Sequence, residues 1–144
     1  LTPEVQPEEI VLENHASVST PYVCTISYGA PTPPVSQAHY AFTPALKQLK
    51  PGDTITFKFA PSPAQATPRL ATLIAAYKSP VTDKDTSPFW NDANTIDIVS
   101  FPTLTIGQRY GKWGFAVLFT VETATDSHFF LLPDPEIIVG PESH

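Results

Sequence analysis

Apolar side chains return at every second position in several segments of this chain, the spacing that turns one face of a β-strand toward a core. In residues 21–28 the inward set is Tyr22, Cys24, Ile26 and Tyr28. In residues 54–59, Ile55, Phe57 and Phe59 point one way, while Thr54, Thr56 and Lys58 point the other. Residues 112–123 carry the strongest alternation, with Trp113, Phe115, Val117, Phe119 and Val121 inward and Gly114 a light interruption. Residues 95–101 predict a further strand with Ile96 and Ile98, and Phe101 at its end. Shorter pieces are predicted at 10–12, 39–42, 104–106, 129–132 and 136–139. Residues 69–77 also fit a helical stripe through Leu70, Leu73, Ile74 and Tyr77. Strand is the better choice there, because nine residues between prolines make a poor isolated helix and the neighbouring segments are strands.

The punctuation between these segments agrees with strands. The chain has 17 prolines, each fixing φ and removing an amide donor, so long uninterrupted helices are excluded almost everywhere. Lys50-Pro51-Gly52-Asp53 predicts a tight turn, with proline preset for its second position and glycine free to take positive φ. Residues 29–34 form a rigid polyproline-like loop that stops the first strand. Pro133 and Pro135 break the last apolar run, leaving either a final strand pair or one strand interrupted at Asp134-Pro135. The sum is a single all-β domain over residues 1–144. It is an antiparallel β-sandwich of about seven to nine strands, immunoglobulin-like in architecture only, with residues 1–9 as a loosely held terminus.

Charge narrows the partners. Eight Lys and Arg stand against 14 Asp and Glu, a net charge of -6, with the acidic excess mostly in the second half. No basic run is present to neutralise phosphates, so nucleic acid and anionic membrane surfaces are poor partners. No apolar stretch reaches the length of a membrane span and no signal sequence is evident; the first residue, Leu1, suggests a processed or trimmed chain. Cys24 is the one cysteine, which excludes an intrachain disulfide, and its strand context predicts a buried thiol.

Candidate chemistry is sparse. Asp83, Asp85, Asn91, Asp92, Asn94 and Asp97 offer oxygen ligands of the kind calcium needs, but without the spacing of a known calcium loop. His15, His39, His128 and His144 lack the close spacing of a zinc site. No nucleophile elbow, phosphate loop or cofactor motif occurs, and no cofactor is expected. Trp113 lies in the inward phase of a strong strand and is expected in the core. Phe89 and Trp90 instead interrupt the longest polar stretch, residues 78–94. They either plug the open end of the sandwich or offer a contact surface, with Asp92 beside them.

The turn at residues 50–53 leading into a strand, the strand at 113–121, and the ending Phe129-Phe130-Leu131-Leu132-Pro133-Asp134-Pro135-Glu136 together resemble bacterial inclusion-body proteins of the PixA/AidA type. Gly52-Asp53 and Asp134-Pro135 match that family's glycine-aspartate turn and Asp-Pro dipeptide. The likeness covers roughly residues 50–139. The long apolar first strand ending in aspartate is missing before residue 50, and Phe129-Phe130-Leu131-Leu132 replaces the usual tyrosine and tryptophan run. The resemblance implies a β-sandwich without established enzymatic activity and a soluble, cytoplasmic setting. From the residues themselves, two functions are expected to compete. One is a non-enzymatic structural domain that self-associates. The other is a carbohydrate- or small-ligand-binding module using Phe89, Trp90 and Asp92.

Overall fold

A computed structural model describes residues 19–63, 65–79, 87–91, 93–123, 125–133 and 135–140. Ten strands occur among them: β1 (Pro21–Tyr28), β2 (Val35–Gln37), β3 (His39–Thr43), β4 (Thr54–Pro61), β5 (Ala71–Ser79), β6 (Thr95–Asp97), β7 (Thr103–Thr105), β8 (Gly111–Glu122), β9 (Ser127–Leu132) and β10 (Glu136–Val139). They form a four-stranded sheet in the order β3-β1-β4-β7 and a six-stranded sheet in the order β2-β9-β8-β5-β6, with β10 also paired to β8. The predicted strand at residues 10–12 and the terminus at residues 1–9 lie outside the described residues.

The expectation of wholly antiparallel sheets is corrected at two places. β1 and β4 pair in parallel over their full length, Pro21 opposite Thr54 through Tyr28 opposite Pro61. β2 and β9 also run parallel, Val35 opposite Phe129. The cause is a crossover. β3 returns along one edge of β1, and the chain then reaches the other sheet, where Leu49 bridges Val139 in parallel, before coming back on the opposite edge of β1 as β4. Such non-local pairings leave no mark in local periodicity.

The inward phases predicted for the three clearest segments hold. Cys24, Ile26, Ile55, Trp113 and Val117 are wholly enclosed, and Tyr22, Tyr28, Phe57, Phe115, Phe119 and Val121 are buried with them. Phe59 is half-buried against the same core. The two sheets meet through aromatic rings: Phe119 stacks on Phe130 at 5.3 Å between centroids, and Tyr28 of the opposing sheet touches both, at 5.1 and 5.0 Å. Each such ring contributes about 1.5–3 kcal/mol through burial alone. Burial pushes the Cys24 thiol up to about 12 and the Tyr28 hydroxyl to about 12, and that hydroxyl donates to Ala66 O at 2.6 Å.

The ambiguous segment at residues 69–77 is strand, and its pairing shows why: Ala71, Leu73 and Ala75 face the core opposite Phe119, Val117 and Phe115 of β8. β9 and β10 run antiparallel to successive stretches of β8, Ser127–Leu132 beside residues 117–122 and Glu136–Val139 beside residues 111–114. The C-terminal run is therefore one line of chain broken at its prolines, with Phe115 N donating to Pro135 O across the break at 3.0 Å. Asp134 itself lies outside the described residues.

The turn at residues 50–53 has the predicted form. Asp53 N donates to Lys50 O at 3.1 Å, and Gly52 takes a φ of 95° that side chains larger than hydrogen resist. Asp53 is 1% exposed. Its carboxylate accepts Thr20 N at 2.8 Å and Lys50 N at 3.0 Å, with Lys50 Nζ at 3.4 Å.

Candidate functional site

The two sheets end on the same side in short strands, β6 and β7, and a groove of about 360 Å³ opens there. Its lining includes Phe89, Trp90, Asp97, Phe101, Thr103 and Thr105. Two local arrangements build it.

The first is the segment from Ser87 to Trp90. Ser87 Oγ accepts Phe89 N at 3.1 Å. Phe89 then bridges Ile106 as an antiparallel partner, Trp90 N donates to Thr105 O at 2.7 Å, and Gly107 N donates to Pro88 O at 2.8 Å. The segment is thus fixed as an added rung beside β7. Extended backbone sends successive side chains to opposite sides, so Phe89 is 3% exposed and fills the core while Trp90 is 72% exposed. Phe89 is thus the plug, and Trp90 beside it is exposed. The crossing is close: a Cβ on Gly107 would meet Phe89 O and Trp90 Cα at 3.2 Å each. On the far side of Trp90 a second hollow of about 310 Å³ is lined by Gly107, Gln108 and Arg109, among others.

The second arrangement is the turn after β6. Asp97 Oδ1 accepts Val99 N at 3.0 Å and Oδ2 accepts the Ser100 hydroxyl at 2.7 Å, while Phe101 N donates to Asp97 O at 3.0 Å. An aspartate that bonds the backbone two residues on competes with strand continuation. The predicted strand over residues 95–101 therefore stops at Asp97. Ile96 and Ile98 are buried as expected, but Phe101 is turned out to 66% exposure beside the groove. Sequence reasoning missed Phe101 as a site residue; the Asp97-x-Val99-Ser100 turn chemistry was the signal that pointed to it. The Ser100 hydroxyl holds the Asp97 carboxyl below its ordinary value; burial opposes it, and the Val99, Ser100 and Ala71 amides add smaller effects in the same direction as the hydroxyl. Near neutral pH it is an acceptor of hydrogen bonds rather than a donor of protons.

Of the predicted site residues, Phe89 and Trp90 come together at the groove. Asp92 lies outside the described residues, as do Asp83 and Asp85 of the proposed calcium set. Asn91 and Asp97 line the groove, and Asn91 Oδ1 accepts Ala93 N at 3.2 Å. No group of three or more potential metal ligands occurs among the described residues. His39 and His128 sit on strands of different sheets, β3 and β9. Trp113 is fully enclosed, as expected. Among the described residues no helix is long and apolar enough to cross a membrane. No protein-family model, curated protein or solved structure matches this chain.

The groove's lining thus combines two exposed aromatic side chains, Trp90 and Phe101, with the Asp97 carboxylate and the Thr103 and Thr105 hydroxyls.

Proposed function

We propose that this chain is a non-enzymatic binding domain, a sandwich of immunoglobulin-like architecture that holds a carbohydrate in the groove between β6 and β7. The observation that carries this reading is Trp90, 72% exposed yet fixed through its own amide to Thr105 O. An exposed indole is costly for a free surface and valuable for a ligand that covers it, above all when the backbone beneath is already ordered. Phe101 supplies a second apolar wall, and Asp97, Thr103 and Thr105 supply polar contacts. A shallow, open groove suits a hydroxylated ligand better than a fully apolar one, which would be left half in water.

The likeness to inclusion-body proteins supports the non-enzymatic part and a soluble, cytoplasmic setting. Its glycine-aspartate element corresponds here to the buried turn at Gly52 and Asp53, a structural device rather than a reactive one.

The test is tryptophan emission during titration with soluble gluco-, xylo-, manno- and chito-oligosaccharides. Trp113 is buried, so a response that disappears in Trp90→Ala reports Trp90. Binding by at least one class is expected. Trp90→Ala, read by calorimetry with that same sugar, should weaken it by about 2 kcal/mol or more, roughly thirtyfold in Kd. No response across all four classes, or a response unchanged in Trp90→Ala, overturns the proposal.

A further inference from the structure

The outer face of the six-stranded sheet is unusually apolar for a surface that meets water. Antiparallel sheets with one solvated face ordinarily place polar side chains there. Here the central outward positions of three adjoining strands include Thr72, Ile74 and Ala76 on β5, Ala116, Leu118 and Thr120 on β8, and Phe129 and Leu131 on β9. The register sets Leu118 between Thr72 and Leu131, Ala116 beside Ile74, and Phe129 between Thr120 and Val35 of β2. Leu70 continues the phase just before β5. Val35 is 52% exposed, Leu70 55%, Ile74 42%, Leu118 40% and Phe129 58%. The charges of this face stand at its margins, in a chain whose net charge is -6: Asp97 of β6 beside Thr72, Glu136 of β10, and Lys112 and Glu122 at the ends of β8.

We propose that this face joins two copies of the chain, packed sheet on sheet with their β8 strands antiparallel. Area, together with the opposite charges at the two ends of β8, favours a second copy as the occupant. Five half-exposed large side chains leave about 100 Å² each, roughly 500 Å² together, at the upper end of the largest patch on an ordinary monomer. With the threonines and alanines between them, the face approaches the ~800 Å² per partner of a standard interface. The net charge of -6 on each copy opposes association at long range, and the uncharged centre keeps that repulsion out of the contact itself.

The ends of β8 select the orientation. Lys112 stands at one end, near Glu136 at 4.0 Å, and the exposed Glu122 at the other. A two-fold axis across the middle of β8 brings Lys112 of each copy toward Glu122 of its partner. An axis along β8 stacks Lys112 on Lys112 and Glu122 on Glu122, which opposes association. Within one chain the two residues are ten positions apart along a strand, about 33 Å, so they do not interact directly.

Sedimentation velocity of the full chain from about 1 to 100 µM is expected to show a monomer–dimer equilibrium. Leu118→Glu should leave a monomer with unchanged circular dichroism and Trp113 emission, since the position is exposed. Lys112→Glu and Glu122→Lys should each weaken the dimer on the order of tenfold, and the double variant should restore it to within about threefold. A wild-type chain that stays monomeric throughout, or a dimer indifferent to Leu118→Glu, overturns the interface. A double variant weaker than either single one overturns the antiparallel orientation. None of these outcomes depends on sugar binding at the groove.

Discussion

Replacing Asp53 by alanine tests whether the turn at residues 50–53 organises both the fold and the groove. The carboxylate is 1% exposed and accepts two backbone amides, Thr20 N and Lys50 N, beside the Lys50 ammonium. Hydrogen bonds to a charged group contribute about 1.5–3 kcal/mol each, and the two share one acceptor, so their loss is less than additive. The Lys50 ammonium is partly exposed and adds little once screening by water is allowed for. Alanine should therefore cost about 3–4 kcal/mol, and asparagine, which keeps one oxygen but turns its amide donors toward amide donors, about 2–3 kcal/mol. At this chain length, 3 kcal/mol corresponds to a fall in Tm of roughly 10 °C. The assay is urea unfolding followed by Trp113 emission, with Asp97→Asn as an exposed control expected to cost less. The damage should also reach the groove. Asp53 O accepts Ile106 N at 2.7 Å, Gly52 N donates to Ile106 O at 3.0 Å, and Ile106 bridges Phe89. Emission from Trp90 should accordingly change at denaturant levels below global unfolding in Asp53→Ala. A variant within 0.5 kcal/mol of the parent, a margin typical of uninvolved surface sites, would refute the reasoning.

Stability should fall in alkali. Cys24 and Tyr28 are each raised to about 12 in the folded chain by burial, so the unfolded chain loses those protons first. Their contribution is complete below about pH 9 and is lost as pH rises toward 12, so urea midpoints should decline across that window and less steeply in Cys24→Val. A flat profile contradicts the burial of both groups. Gly107→Ala should push the Phe89–Trp90 backbone outward, because the new Cβ meets it at 3.2 Å. The expected result is a cost of about 1–3 kcal/mol together with altered Trp90 emission, checked by urea unfolding and iodide quenching.

The parts of the fold legible in sequence are those where a residue's neighbours decide its face. β1, β4 and β8 have strict alternation, and every residue assigned inward there is buried or half-buried. The turn before β4 was equally legible, because proline and glycine act through their own backbone preferences. Partnerships were not. Nothing local in residues 21–28 and 54–59 distinguishes a parallel pair from an antiparallel one, since the crossover through Leu49 that imposes it is set by the rest of the chain. The site was legible only by half. The polar surroundings of Phe89 and Trp90 marked the segment, but which ring faces out depends on the rung formed with Thr105 and Ile106. Phe101 is set by a feature that periodicity does not carry: the Asp97 side chain ends the strand, and the turn it forms places Phe101 beside the groove.

The added rung beside β7 has a consequence for the chain's behaviour in a crowd. An open strand edge is a template on which other chains add and fibres grow. Here Thr105 O is taken by Trp90 N, and Gly107 N is taken by Pro88 O. Pro88 itself has no amide to pass on. The short strip that displays Trp90 thus also covers the end of the β7 edge at Thr105 and Gly107, and it does so through main-chain atoms alone. Substituting the indole leaves that cover in place, so the display can be varied without exposing an edge on which filaments start.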